Sequence, residues 1–226
     1  MILYHGSTAE VKKPAYGLCK KNNDYGQVFC MTTSAALARE WAVREDMDGC
    51  LNRYSLDDRG LKVLDLNDGR HSVLHWLCMV LTNRDVDITS EVMDENLEYL
   101  KQVFSLDPGH YDCITGWSAD DVSFSAAVNF VSNGITCGML RDALHLKDQG
   151  TQCVLVSPRA FERISFLDSE PVCRAIWYPK KMAHERKAAA DYARMRRQQN
   201  EKPSQGLLMT DIVRMEMDAN DSRLYL

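Results

Sequence analysis

The opening hexapeptide Ile2-Leu3-Tyr4-His5-Gly6-Ser7 constrains the fold more than any other stretch of the chain. Ile2-Leu3-Tyr4 predicts a short buried strand. His5, Gly6 and Ser7 then place an imidazole, an unshielded peptide and a hydroxyl at the end of that strand. Glycine carries no side chain, so a flat ligand can come close to the main chain there. The peptide N–H and C=O could hold an amide in paired hydrogen bonds. The same six residues also fit a plain N-terminal strand that runs into a turn.

A chain of 226 residues can form one good core with a small appendage. A hydrophobic content of 45% beside 26% charged residues is that of a soluble globular protein, and no apolar run is long enough to span a bilayer. No basic region followed by a long apolar stretch opens the chain, which argues against a secretory signal. The eight cysteines are scattered, without a Cys-x-x-Cys pair. That pattern predicts reduced, mostly buried thiols in a cytoplasmic protein rather than a disulfide framework or a zinc site. The net charge of −5 argues against general nucleic-acid affinity, yet residues 180–197 hold seven Lys or Arg and two Asp or Glu.

Along the chain, Gln27 to Met31 predicts a second strand. Ser34 is placed to cap a helix to about Glu45, with Leu37, Ala38, Trp41 and Ala42 on one core-facing side. Leu51–Leu56 and Leu61–Leu66 read as strands around the turn Asp57-Asp58-Arg59-Gly60. Helices are expected over 71–81, over 90–104 with Met93, Leu97, Leu100 and Phe104 as an apolar stripe, over 124–131 and over 137–146. His71 and His75 have a metal-ligand spacing without an apparent third ligand. Tyr111–Gly116 and Thr151–Ser157 read as strands, Pro158 opens a helical turn, and Ile164-Ser165-Phe166 is a brief strand. Pro179 suits the first turn of a long charged helix that Pro203 ends, and a last helix starts near Leu207. The expected organisation is one α+β domain over 1–178 with a helical C-terminal extension over 179–226.

Asp24-Tyr25-Gly26-Gln27-Val28-Phe29-Cys30-Met31-Thr32-Thr33, followed by Ala38-Arg39-Glu40-Trp41-Ala42, adds a second layer of information. With the opening hexapeptide it resembles the ADP-ribosyltransferase superfamily in its His-Tyr-Glu branch, and more closely a family of uncharacterised bacterial proteins assigned to that fold. The likeness continues through Asn52-Arg53-Tyr54, Val63-Leu64-Asp65-Leu66-Asn67, Leu74-His75-Trp76-Leu77, Ala119-Asp120-Asp121, Gln152-Cys153-Val154-Leu155, Ala160-Phe161-Glu162-Arg163 and Tyr178-Pro179-Lys180-Lys181. The resemblance implies a split β-sheet core with surrounding helices, and NAD as a substrate. His5 would bond a ribose hydroxyl, Gly6 would pair with the nicotinamide carboxamide, and Ser7 would add a hydroxyl contact. The tyrosine of the second strand, which stacks on nicotinamide in that branch, aligns with Cys30, and its neighbour Phe29 should point to the opposite sheet face. The later-strand glutamate aligns with Gln152, which can position a hydroxyl but supplies no full charge and takes no proton. Asp120 and Asp121 are the nearest carboxylates to replace it; they also fit a helix N-terminal pair. Gln152 also fits an edge-strand polar residue.

Two readings follow. The first is an enzyme that cleaves the nicotinamide–ribose bond and transfers ADP-ribose to an unknown acceptor, as a bacterial toxin or defence effector, with nucleic acid among the acceptors left open. The second is a catalytically weakened NAD-fold protein that works by binding an antitoxin-like protein partner. Cys30 and Gln152 favour the second; His5-Gly6-Ser7 and Asp120-Asp121 favour the first.

Overall fold

The computed structural model describes residues 1–18, 23–146, 151–201 and 206–225. Among these, seven strands form one mixed sheet: β1 (Ile2–Ser7), β2 (Phe29–Thr32), β3 (Gly49–Leu56), β4 (Val63–Asp65), β5 (Cys113–Gly116), β6 (Gln152–Leu155) and β7 (Ile164–Val172). The helices are α1 (Ala35–Ala42), α2 (Val73–Asn83), α3 (Glu91–Phe104), α4 (Asp121–Val131), α5 (Cys137–Leu144), α6 (Pro158–Glu162), α7 (Arg174–Glu201) and α8 (Met209–Arg214). The architecture is α+β, with strand order β4-β5-β6-β2-β1-β3-β7. Contacts divide the chain into two compact units. The first comprises Met1–Asp65, Asp107–Trp117 and Gln149–Glu185; the second comprises Leu66–Leu106, Ser118–Asp148 and Arg186–Leu226.

The first unit holds the sheet. The seven strands form one continuous sheet, narrowest between β1 and β2. β1 and β3 pair over six registers from Ile2↔Ser55 to Ser7↔Cys50, whereas β1 meets β2 at Tyr4↔Thr32. One face buries Leu3, Phe29, Met31, Tyr54, Leu56, Cys153 and Leu155. The other receives α1, whose Ser34 cap accepts from the Leu37 N–H at 3.2 Å. Ala38 and Ala42 of α1 pack there with Val43, Leu51 and Val172, flanked by Trp177 and Tyr178.

Four expectations change against the structure. The stretches around Asp57–Gly60 are both strands but do not form a hairpin. β3 already has β1 on one edge and β7 on the other, so β4 crosses to the far end and pairs in parallel with β5. The brief strand at 164–166 runs nine residues to Val172. Its second half, Asp168-Ser169-Glu170-Pro171, has no apolar alternation because β7 is an edge strand, where polar residues and proline are tolerated. Gln152 lies on β6 between β5 and β2, so it is central and buried rather than on an edge. The long helix begins at Arg174, whose N–H donates to the Asp48 carboxylate at 2.7 Å, and Pro179 sits inside it. Pro203 lies outside the described residues.

In the second unit, α2 is buried at every position from Val73 to Leu81, as suits a helix enclosed on all sides. α3 has the expected stripe of Met93, Leu97, Leu100 and Phe104, and Ser90 caps it through the Met93 N–H. Asn96, also buried, donates to the Val131 carbonyl at 2.7 Å. No helix among the described residues is long and apolar enough to cross a membrane. Cys30, Cys50, Cys78, Cys113, Cys137, Cys153 and Cys173 are free thiols. The hydrogen bond that the Cys153 thiol donates to Cys113, together with burial, pushes the Cys153 pKa up. No group of three metal-binding side chains occurs among the described residues.

Candidate functional site

Where β1 and β2 part beyond Tyr4↔Thr32, a cleft of about 530 Å³ opens in the first unit. His5, Gly6, Ser7, Phe29 and Cys30 all line it. The structure thus brings together the five residues picked from the two strands.

Ladder geometry decides what Gly6 presents. Met1 and Leu56 exchange both main-chain bonds, at 2.6 and 2.9 Å. In an antiparallel ladder such pairs alternate with non-bonded pairs. The odd residues of β1 therefore turn their N–H and C=O toward β3, and the even ones, Tyr4 and Gly6, turn theirs toward β2. Tyr4 meets Thr32 there, whereas Gly6 faces the gap. Its missing side chain is explained by packing on the other face: a Cβ would lie 1.8 Å from the Ala38 carbonyl oxygen. The glycine thus seats α1, and its peptide groups, rather than a bare face, are what it offers to a ligand.

His5 bridges the parting strands. Its Nδ1 lies 2.7 Å from the Cys30 carbonyl oxygen, which can only accept, so Nδ1 carries the proton and Nε2 is an acceptor. Burial lowers the His5 pKa, against a smaller opposing effect of the Cys30 bond, so the ring is neutral at pH 7. Phe29 shares its sheet face, with ring centroids 4.5 Å apart and a tilt of 37°. Ser7 is mostly engaged. Its hydroxyl donates to the Ala9 carbonyl at 2.6 Å and accepts from Asn52 Nδ2 at 2.9 Å.

The motif Asn52-Arg53-Tyr54 gave Asn52 no role, yet its side chain braces three residues that line the cleft, His5, Ser7 and Val11. It is fully buried, donates to the His5 carbonyl at 3.2 Å and accepts from the Val11 N–H at 2.8 Å. The Tyr54 hydroxyl donates to the Val11 carbonyl. Val11 is thereby held on both sides, and with it the loop that carries Lys13 over the cleft. The available signal was the alternation Asn52-Tyr54-Leu56, which puts an amide at an inward position. Trp41, read from the sequence as core, is only half-buried and lines the cleft with Arg44, which lies just past the end of α1. The apolar face of α1 is satisfied by Leu37, Ala38 and Ala42, which leaves the indole at the cleft.

Gln152 and the two aspartates are not among the cleft's lining residues. Gln152 opposes Thr32, so it shares the sheet face of Cys30, diagonally across the β2–β6 pair. It is buried, and its Oε1 has no hydrogen-bond partner among the described residues. An orphaned buried acceptor costs about 1–3 kcal/mol, and a donor on an incoming ligand would offset that cost. Asp120 is the N-cap of α4, in the second unit, and accepts from the Ser123 N–H at 2.8 Å; Asp121 is the first residue of that helix. Capping accounts for Asp120 without catalysis.

A family model described as a protein of unknown function, DUF3990, matches residues 1–166. Neither a curated protein nor a solved structure matches the chain.

Proposed function

The chain belongs to the DUF3990 family, whose function is unknown, and from the geometry of the cleft we propose that it binds NAD as an ADP-ribosyltransferase-type protein, cleaving the nicotinamide–ribose bond. The observation that carries this reading is the Gly6 peptide, which faces a strand gap beside a neutral His5. A carboxamide presents a donor and an acceptor to one C=O and one N–H, and a ribose hydroxyl donates to Nε2 of His5. Lys13 and Arg44 supply positive charge for a diphosphate, and Phe29 and Trp41 supply aromatic walls. Nicotinamide leaves with the bonding electron pair, positive charge develops on the ribose, and the acceptor adds to that carbon and loses a proton. The acceptor can be a protein, a nucleic acid, a small molecule or water.

A second reading, a weakened NAD-fold protein acting through a protein partner, is favoured by Gln152. Its buried oxygen is an acceptor without the charge that stabilises the developing cation. Incubation with labelled NAD separates the two, because release of nicotinamide supports the enzyme, whereas NAD that is bound but stays intact supports the binder.

The same assay tests Cys30 and Gln152. Cys30 is half-buried on the cleft wall, and Tyr25 is not among the residues that line the cleft. Tyr25 is buried and donates to the Trp117 carbonyl at 2.6 Å. A ring at position 30 is worth roughly 0.5–1.5 kcal/mol by stacking, so Cys30→Tyr should tighten NAD binding by up to ~tenfold. Cys30→Tyr with Gln152→Glu should cleave NAD faster than either single change. A double variant that folds and binds NAD but cleaves no faster than wild type contradicts these assignments.

A further inference from the structure

The second unit carries a feature that the NAD cleft does not use. From residue 186 onward α7 buries Ala188 and Tyr192, and Tyr192 Oη accepts from Asn129 Nδ2 at 3.0 Å. At 100° per residue the opposite side of the helix presents Arg186, Lys187, Ala190, Ala193, Arg194 and Arg197, all of them exposed. Asp191 engages Arg194 at 3.0 Å and Lys187 at 3.5 Å. Arg186 and Arg197 have no carboxylate within ion-pair distance among the described residues. Residues 186–197 carry five Lys or Arg against one Asp, in a chain whose net charge is −5.

We propose that this face of α7 docks on double-stranded DNA, with its cations on backbone phosphates. The composition of the face selects the partner. A protein interface needs bulky anchors such as Trp, Tyr or Met at its centre, and here the centre is Ala190 and Ala193. Binding energy must then come from the charges, which favours a polyanion. Single strands are held by stacking bases on aromatic side chains, and none is exposed on this face. The deep, narrow major groove of duplex RNA does not admit a helix, whereas that of DNA does. Small side chains between the cations let the helix approach closely. The four cations span roughly 16 Å of helix axis at 1.5 Å per residue, enough to meet several phosphates. This docking is independent of NAD.

Fluorescence anisotropy with a labelled 20-base-pair duplex, over a series of salt concentrations, tests the proposal. The full-length protein should bind at low salt, with log K falling against log salt at a slope of about −3 to −4 for four phosphate contacts. Replacing Arg186, Lys187, Arg194 and Arg197 together by Gln should weaken binding at least tenfold and flatten the slope toward zero. Glutamine keeps the helix propensity, and far-UV circular dichroism checks that the helix persists. Should the fourfold variant unfold, Arg186→Gln and Arg197→Gln singly should each lower the slope by about 1. Absence of duplex binding at low salt, an unchanged slope in the variants, equal affinity for a single strand, or preference for polyglutamate would each overturn the proposal.

Discussion

Gly6→Ala should unfold or severely destabilise the protein, whatever the cleft binds. The new Cβ would sit 1.8 Å from the Ala38 carbonyl oxygen and 2.8 Å from the Ala42 amide nitrogen. Both are main-chain atoms of α1, so no rotamer change relieves the overlap, and the helix must lift off the sheet. Gly49 has the same function one strand over, with the Ala42 carbonyl oxygen 2.2 Å from where its Cβ would lie. Overpacking of this kind costs about 3 kcal/mol or more, which lowers the melting temperature by roughly 6–12 °C in a chain of this size. Gly138 is the control: it lies within α5 and has nothing within 4 Å of its would-be Cβ. Gly138→Ala should therefore be neutral or stabilise by about 0.5–1 kcal/mol. Thermal unfolding of the two variants beside wild type checks both. A Gly6→Ala protein that melts within about 2 °C of wild type would mean that α1 does not seat on β1.

Truncation after residue 178 should abolish folding rather than release a stable core. The cut removes Ala188, Tyr192, Met209, Ile212, Met217 and Leu224, all buried. At about 1.5–3 kcal/mol for each large side chain, the loss is of the order of 10 kcal/mol, comparable to the whole stability of a domain. The first unit loses contacts as well. His184 Nδ1 lies 2.7 Å from the buried Glu40 carboxylate on α1. Lys180 Nζ lies 4.4 Å from the Trp177 ring, which Arg39 approaches to 5.3 Å. Removing His184 would leave Glu40 a buried charge without that partner, a heavier penalty than losing a surface ion pair. Circular dichroism and size-exclusion chromatography of the 1–178 fragment decide the matter. A monomeric fragment with native helix content and a cooperative melt would show that α7 and α8 are dispensable.

What the sequence made legible was local chemistry with a period. Ser90 before the stripe Met93, Leu97, Leu100 and Phe104 specifies α3 to the residue, and Pro158 opens α6 where expected. The same holds for part of the site, because His5, Gly6, Ser7, Phe29 and Cys30 sit on strand ends that meet at one cleft. Tertiary context hid the rest. Gly6 reads as room for a ligand, but only the structure shows a helix backbone filling that room. Gln152 reads as an edge residue because one amide among apolar neighbours does not reveal which strands flank it. The second half of β7 has no alternation, since its partner β3 holds it by main-chain pairing and no strand among the described residues pairs with its outer edge. Trp41 carries the strongest apolar signal in α1 and was placed in the core on that ground, whereas Ala38 and Ala42 are small enough to pack where a helix must lie close to a sheet.

The central claim, that the cleft between β1 and β2 holds NAD through His5 and Gly6, is met most directly by calorimetric titration of NAD into wild type and His5→Ala. Burial keeps His5 neutral and its Nε2 an acceptor, so wild-type affinity should be level from pH 8 to below pH 7. It should decline only under acid conditions, where the lowered pKa lets the ring protonate. His5→Ala should retain the fold and lose about 1–3 kcal/mol of binding, roughly 5–150-fold in affinity. A folded His5→Ala protein with unchanged NAD affinity, or a wild type that does not bind NAD at all, would contradict the account.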